Sequence, residues 1–168
     1  RSSDLETLGP LVLLIAIGPR VGARPIEWSS ARLDGCLLKL QNAKSNTSRG
    51  AGATRVLDLS MWPAHHLLGV QLLCEVMSSL KPGDFDRLYS RMAERLATAC
   101  KQVGVPRLSP YLARNLAMTN WEAAGLTREF IAALAGHRSI ASQAVYIAKG
   151  RGVRPAMIPQ PVVSPQDP

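Results

Sequence analysis

The hydrophobic and polar positions along the chain predict helices over most of its length. An apolar stretch from Leu5 to Gly18 predicts a buried helix that ends at its glycine, with Pro19 preventing continuation. A second, short helix is predicted near Arg24, where Pro25 is tolerated in the first turn. Two of the remaining predicted helices run from Ala64 to Leu80 and from Asp84 to Val103. A third runs from Pro110 to Ala124 with Ser109 as its cap, and Thr127 and Ser139 are the predicted caps of the last two.

Two of these helices have residues whose side chains are expected to face a core. In the helix that begins at Thr127, they are Phe130, Ile131 and Leu134. In the helix that begins at Asp84, the expected apolar stripe consists of Phe85, Leu88, Met92, Leu96 and Ala99.

A different pattern, in the first third of the chain, predicts a small antiparallel sheet. Arg32 to Gln41 contains an Asp-Gly pair flanked by apolar residues, which is a strong signal for a hairpin. Thr54 to Leu59 alternates apolar and polar residues and predicts a third strand. Ser45 to Ala53, between them, is rich in Ser, Gly, Asn and Thr and predicts a loop, and Pro155 to Pro168 predicts an extended or disordered tail.

Composition supports one domain of the α+β class that is mainly α-helical. Hydrophobic residues make up 46% of the 168 residues and aromatic residues only 5%, which favours helices packed by Leu, Ala, Val and Ile over a β-sandwich. The formal net charge of +8 and a pI of about 10.0 favour a polyanionic partner, and nucleic acid is the commonest one.

Several classes of protein are disfavoured. The three cysteines, Cys36, Cys74 and Cys100, are odd in number and lack C-x-x-C spacing, so we expect neither a disulfide framework nor a zinc site. We therefore expect the protein to reside in a reducing cytosol. The longest apolar run, Leu11 to Ile17, is too short to span a bilayer. The chain opens on Arg1 without the pattern of a signal peptide, which suggests a fragment of a longer protein.

A spaced set of polar residues carries the candidate chemistry. Arg24 lies in Val-Gly-Ala-Arg-Pro-Ile-Glu, Arg114 lies far downstream, and Tyr146 follows His137 by nine positions. A planar guanidinium can hold two phosphate oxygens, an imidazole can donate to another, and a phenol can attack phosphorus. These residue types together suit the handling of a phosphodiester.

The order and spacing of these residues resemble the catalytic domain of the tyrosine recombinases, the phage integrase family, over positions 5 to 150. The matching segments are Gly-Ala-Arg-Pro-Ile-Glu, Tyr-Leu-Ala-Arg-Asn and Leu-Ala-Gly-His-Arg-Ser, followed by the late tyrosine. The resemblance implies that Arg24 and Arg114 bind the scissile phosphate and that Glu27 orients Arg24. It further implies that His137 donates to a nonbridging oxygen and that Tyr146 is the nucleophile that forms a 3′-phosphotyrosine.

For two positions of the family pattern, the match in this chain stays open. The family keeps a lysine on its hairpin as the general acid for the leaving 5′-oxygen, and both Lys44 and Lys39 are candidates. We prefer Lys44 because it lies at the transition from strand to loop, whereas the alternating position of Lys39 could place it on the other face of the sheet. Tyr111 occupies the usual place of the first histidine of the family motif and Asn115 that of the second. A tyrosine can donate a hydrogen bond to phosphate but cannot act as a general base near neutral pH unless strongly perturbed.

The resemblance also implies an organisation and partners. Residues 1–152 would form the recombinase catalytic domain, and residues 153–168 a Pro-rich tail that is extended or docks on a neighbouring subunit. On this resemblance we expect the sequence to lack the family's N-terminal DNA-binding domain. The expected partner is double-stranded DNA, bound by a homo-tetramer in the nucleoid of the cytoplasm, with no metal, no cofactor, no ATP and no membrane.

Three alternatives stay open from the sequence. The first is a catalytically degenerate relative that only binds DNA, which the tyrosine at position 111 favours. The second is a type IB topoisomerase or telomere resolvase with the same chemistry. The third is a helical protein-interaction module, which would have no need for the spaced series of polar residues.

Overall fold

The computed structural model of the chain describes residues 2–43, 53–81, 83–137, 153, 155 and 157–162. Within these residues the architecture is mainly helical with one small antiparallel sheet, so the predicted fold class is confirmed. The elements are α1 (Ser2–Val21), a 3-10 helix (Pro25–Ser30), β1 (Arg32–Asp34), β2 (Leu37–Gln41), β3 (Thr54–Asp58), α2 (Ala64–Ser78), α3 (Asp84–Gln102), α4 (Leu112–Ala123), α5 (Arg128–Ala135) and β4 (Gln160–Val162).

The sheet has the strand order β1-β2-β3-β4, with each neighbouring pair antiparallel. The predicted hairpin is confirmed, and Gly35 provides the left-handed φ of +57° at its turn. Leu38 lies opposite Leu57, and Leu40 lies opposite Arg55. These four side chains are buried on one face of the sheet, so an arginine points into the protein among leucines.

Helix α1 is longer than the sequence pattern predicts. The predicted end at Gly18 is wrong: α1 continues through Pro19 to Val21 and ends at Gly22, which has a φ of +69°. A proline inside a helix normally clashes with the residue before it, but here Gly18 precedes Pro19 and carries no Cβ. Pro10, the other proline of α1, also follows a glycine.

Glycines let α1 and α4 approach closely. A Cβ at Gly18 would lie 2.6 Å from the Cβ of Ala113, and one at Gly22 would lie 2.3 Å from the indole carbon Cη2 of Trp121. Both contacts are below the separation that real Cβ atoms show. The close approach brings the α4 residue Arg114 against the end of α1.

Replacing Gly18 with alanine is expected to lower the free energy of unfolding by about 2 kcal/mol more than replacing Gly9 does, because only the first variant overpacks a helix contact. Both glycines precede a proline in α1, so the clash of an alanine with the proline ring is common to the pair. A Cβ at Gly9 would have nothing within 4 Å. Urea unfolding followed by circular dichroism measures the difference. Equal losses would contradict the close packing of α1 on α4.

Other features of the fold also differ from the sequence pattern. Helix α4 begins at Leu112 rather than at Pro110, and its cap position is Tyr111 rather than Ser109. The carbonyl oxygen of Ser109 accepts the backbone N–H of Leu112 in the turn before the helix. On α3, Ala99 is exposed and Cys100 is buried, so the apolar stripe shifts by one residue at its end. No strand was predicted near the C-terminus, yet β4 pairs with β3, with Val162 opposite Val56.

Some predicted features lie outside the described residues. They are Lys44, nearly all of the predicted loop from Ser45 to Ala53, and the last predicted helix with Tyr146. Among the helices that the structure does describe, none combines the length and the apolar character needed to cross a membrane.

Candidate active site

Arg24 lies in the short extended segment between α1 and the 3-10 helix. The left-handed turn at Gly22 redirects the chain, and Arg24 then has an extended backbone with φ −67° and ψ 146°. Pro25 occupies the first position of the 3-10 helix, where a missing N–H costs nothing. The turn directs the Arg24 side chain inward, and Arg24 is only 8% exposed.

Glu27 binds Arg24 at two points. Its Oε1 accepts from Arg24 Nη1 at 2.6 Å, and its Oε2 accepts from the Arg24 backbone N–H at 2.8 Å. The three-residue turn of a 3-10 helix places side chains at i and i+3 one above the other, which explains this contact. The backbone N–H of Ala43, after β2, also donates to Oε1 at 3.2 Å. Glu27 therefore has the geometry expected of a residue that orients Arg24, and its functional role stays a prediction.

Arg55, on β3, is a member of this cluster that the sequence reasoning missed. Its Nη2 donates to Glu27 Oε2 at 2.7 Å, and its Nε donates to the carbonyl oxygen of Leu134 at 3.1 Å. Its Nη1 donates to Oδ1 of Asn42. A signal was available, since the alternation of 54–59 places Arg55 on the same strand face as Leu57, and an arginine on an apolar face needs buried partners.

Arg114 is completely buried, with 0% of its surface exposed. Its Nη1 donates to the carbonyl oxygen of Gly22 at 2.6 Å, and its Nη2 donates to that of Ala135 at 2.7 Å. Gly22 follows the last residue of α1, and Ala135 is the last residue of α5, so one guanidinium joins the C-terminal ends of two helices. Such ends carry partial negative charge and favour a cation.

His137 follows α5 directly and touches Arg114. Thr127 caps the start of α5, as predicted, and Gly136 ends it with a left-handed φ of +65°. The Nε2 of His137 lies 2.7 Å from Arg114 Nη2. A guanidinium can only donate, so Nε2 accepts and the proton of the neutral ring sits on Nδ1. Nδ1 is thus the ring atom that can donate to a ligand.

The cluster holds more positive than negative charge. Of the groups described around it, Arg24, Arg55 and Arg114 are cationic and Glu27 is anionic. Burial alone would raise the pKa of Glu27, but Arg55 and the other two arginines lower it to about 2. Burial, with the repulsion of Arg114, lowers the pKa of His137 to about 4, so its ring is neutral at pH 7. Burial, with the charge of Arg24, lowers the pKa of Arg114 to about 10, which still leaves it charged.

Two buried guanidinium nitrogens of the cluster have no hydrogen-bond acceptor among the described residues. The Nε atoms of Arg24 and Arg114 are buried and have no partner in the part of the chain that the structure describes. A buried donor without a partner is costly, particularly in a charged group. An anion that accepted from these two donors would satisfy both and would also reduce the excess of positive charge.

The remaining predicted site residues differ in how the structure places them. Tyr111 is half-buried at the start of α4, and its carbonyl oxygen accepts from the backbone N–H of Arg114 at 3.1 Å. Lys39 is exposed and pairs with Asp34 at 3.4 Å, on the sheet face opposite to Arg55. Arg24, Glu27, Arg114 and His137 are thus brought together, Lys39 is not, and Lys44 and Tyr146 lie outside the described residues.

The fold is similar to that of a recombinase of known structure. A crystal structure of XerA recombinase matches with a TM-score of 0.56 and 16% sequence identity, over 89% of this chain and 56% of that one. The present chain thus spans little more than half the length of XerA recombinase. No family model and no curated protein matches the chain. At this identity the likeness shows a shared fold.

Proposed function

We propose that the chain is the catalytic domain of a tyrosine recombinase, which cuts and rejoins DNA strands through a 3′-phosphotyrosine intermediate. The observation that carries the proposal is the buried cluster with an excess of positive charge, in which Arg24 and Arg114 each retain an Nε without a partner among the described residues. A phosphodiester is the anion that such a site suits, because guanidinium groups bind phosphate oxygens in a fixed geometry. The fold shared with XerA recombinase supports the same reading.

In this proposal each side chain of the cluster has a separate task. Arg24 and Arg114 bind the nonbridging oxygens of the scissile phosphate, and Glu27 holds Arg24 in place. His137 donates from Nδ1 to a nonbridging oxygen and so stabilises the charge that develops there. Because its ring is neutral at pH 7, it adds a donor without adding charge to the cluster.

The reacting groups are Tyr146 and Lys44. The phenolate of Tyr146 attacks phosphorus and forms the 3′-phosphotyrosine, and in this proposal the positive charge of the arginines favours the phenolate. Lys44 protonates the 5′-oxygen that leaves. The phosphodiester energy is kept in the protein–DNA link, so rejoining needs no ATP. Side chains handle the charge throughout, and the proposal includes neither a metal nor a cofactor.

We further propose that the partner is double-stranded DNA, bound by a tetramer in the nucleoid of the cytoplasm. The net charge of +8 supports a polyanionic partner. Binding to DNA is then salt-dependent, with a slope of about −0.9 in log K against log salt for each phosphate that the protein neutralises. In the family pattern the tail from residue 153 docks on a neighbouring subunit, and here Gln160–Val162 of that segment pairs with β3 of its own chain.

A second candidate function, DNA binding without cleavage, is favoured by the state of Arg114. This residue has no exposed surface, and both of its terminal nitrogens donate to protein acceptors. An arginine engaged in this way stabilises the fold even where no phosphate binds. Tyr111, in place of the usual histidine, points in the same direction.

A covalent-trapping assay tests the proposal and separates the two candidates. The chain is mixed with nicked duplexes of randomised sequence, in chelator and without ATP, and the products are run on a denaturing gel. We expect a protein–DNA adduct with the natural sequence and none with Tyr146→Phe. This substitution removes only the hydroxyl group, whose oxygen is the proposed nucleophile.

Each other outcome of this assay has a definite meaning. An adduct that persists in Tyr146→Phe would show that another residue is the nucleophile. Salt-sensitive retention of DNA without any adduct would favour the binding-only candidate and would make Tyr111→His the next variant. A chain that neither retains DNA nor forms an adduct would overturn both candidates.

A further inference from the structure

Arg55 joins three separate parts of the candidate active site. Through Nη2 it holds Glu27, which in turn holds Arg24. Through Nε it donates to the carbonyl oxygen of Leu134, in the last turn of α5, three residues before His137. Through Nη1 it donates to Asn42, next to the end of β2.

The turn that carries His137 is shaped around this arginine. A Cβ at Gly136 would lie 2.9 Å from Arg55 Nη1 and 2.4 Å from Oδ1 of Asn42. Only a glycine therefore lets the end of α5 rest directly on the pair formed by Arg55 and Asn42. The left-handed φ of Gly136 then turns the chain so that His137 meets Arg114.

Arg55 also differs from the two arginines that the proposed reaction uses. Each of its three guanidinium nitrogens donates to a protein acceptor, and its side chain is 7% exposed. Arg24 and Arg114, by contrast, each have a buried Nε that no other described residue contacts through a hydrogen bond. A guanidinium whose three nitrogens are all engaged holds protein groups in place and is poorly disposed to bind a ligand.

We propose that Arg55 is a positioning residue of the active site, which fixes Arg24 through Glu27 and fixes His137 through the end of α5. The inference rests on the proposed function and adds to it a residue outside the motifs that suggested it. The planar fork of the arginine is essential, because it reaches acceptors on the 3-10 helix, on α5 and after β2 at the same time. Lysine keeps the charge but has a single ammonium group that cannot span these acceptors.

Arg55→Met and Arg55→Lys test the proposal, with Arg32→Met on exposed β1 as a control that removes the same charge from the same sheet. We expect Arg55→Met to lower the single-turnover rate of adduct formation by about 100-fold, the scale for a misplacement of about 1 Å. Arg55→Lys should lower this rate by a smaller factor, because the positive charge is kept. The Kd for DNA should change no more in either variant than it does in Arg32→Met, because Arg55 does not touch the phosphate.

The pH profile separates positioning from general damage to the fold. Glu27 faces Arg24 on its own segment, Arg55 on β3, Arg114 on α4 and His137 after α5. Without Arg55 the buried carboxylate takes up a proton more easily. The adduct rate of Arg55→Met should therefore fall further as the pH drops from 7 to 5, whereas the natural protein should not show that fall. Adding Glu27→Gln to Arg55→Met should remove the acid limb, because the titrating group is gone.

A readout that does not need activity keeps this test apart from the test of the proposed function. Carbon-13 NMR of the glutamate carboxyls and proton NMR of the imidazoles follow Glu27 and His137 in the unliganded chain. We expect Arg55→Met to raise the pKa of Glu27 and to shift the His137 resonances, while Arg32→Met leaves both unchanged. If the natural protein forms no adduct, the proposed function fails, and these spectra still decide whether Arg55 positions the cluster. Unchanged spectra, or a rate that falls only with the folded fraction and keeps the natural pH profile, would overturn the proposal.

Discussion

Replacing Glu27 with glutamine is expected to lower the free energy of unfolding by about 4 kcal/mol, the range measured when one partner of a buried ion pair is removed. Glu27 is 1% exposed, and its carboxylate lies within 2.7 Å of a nitrogen of both Arg24 and Arg55. The glutamine keeps the size of the side chain but removes the negative charge. Its amide also turns N–H donors toward guanidinium groups that can only donate. The cluster would then hold buried positive charge without the carboxylate that compensates it.

Urea unfolding at pH 7 measures this effect, with Glu94→Gln as the matched control. Glu94 is an exposed residue of α3, so the same change there should alter stability by no more than about 0.5 kcal/mol. The loss in Glu27→Gln should shrink when Arg55→Met is added, because one of the uncompensated cations is then gone. A loss as small as that of the control would show that the carboxylate does not compensate the arginines, and the described charge balance would be wrong.

Local contacts of the site could be predicted from the sequence, whereas distant ones could not. Arg24 and Glu27 are three residues apart, and any helical turn brings them together. Arg55 reaches Glu27 over 28 residues and Leu134 over 79, and no local pattern specifies which carboxylate or carbonyl a buried arginine will meet. The strand alternation predicts only that Arg55 points inward.

The errors in the fold also arise from tertiary contacts. Gly18 and Pro19 together resemble a helix end, yet α1 continues because packing against α4 stabilises it, and the true end is the left-handed Gly22. Strand β4 contains Pro161, which disfavours a strand. The strand forms at the edge of the sheet, where a missing N–H on the outer side is tolerated, and only the presence of β3 makes that edge available.

The family resemblance located the cluster but did not predict its electrostatics. Arg24, Arg114 and His137 are far apart in sequence and meet in the structure. The complete burial of Arg114 depends on the close approach of α1 and α4. The neutral state of His137 depends on its burial and on the charge of Arg114 beside it. Both properties follow from packing.

Lowering the pH from 7 to 4 is expected to reduce the free energy of unfolding by on the order of 3 kcal/mol through the titration of His137. The pKa of His137 in the folded chain is lowered to about 4 from an ordinary value of 6.5, because burial and Arg114 disfavour the charged ring. Between these two values the unfolded chain binds a proton that the folded chain does not. Stability is therefore complete above pH 6.5, falls as the pH drops toward 4, and changes no further through this group below it.

Urea unfolding at several pH values, on the natural protein and on His137→Gln, isolates this effect. The glutamine amide oxygen can still accept from Arg114 but takes up no proton, so the variant should lose most of the pH dependence between 7 and 4. His66 acts in the same direction, because burial lowers its pKa as well, and its effect is common to both proteins. If His137→Gln kept the natural pH profile, His137 would not be the buried neutral acceptor of Arg114, and the proposed donor role of its Nδ1 would lose its basis.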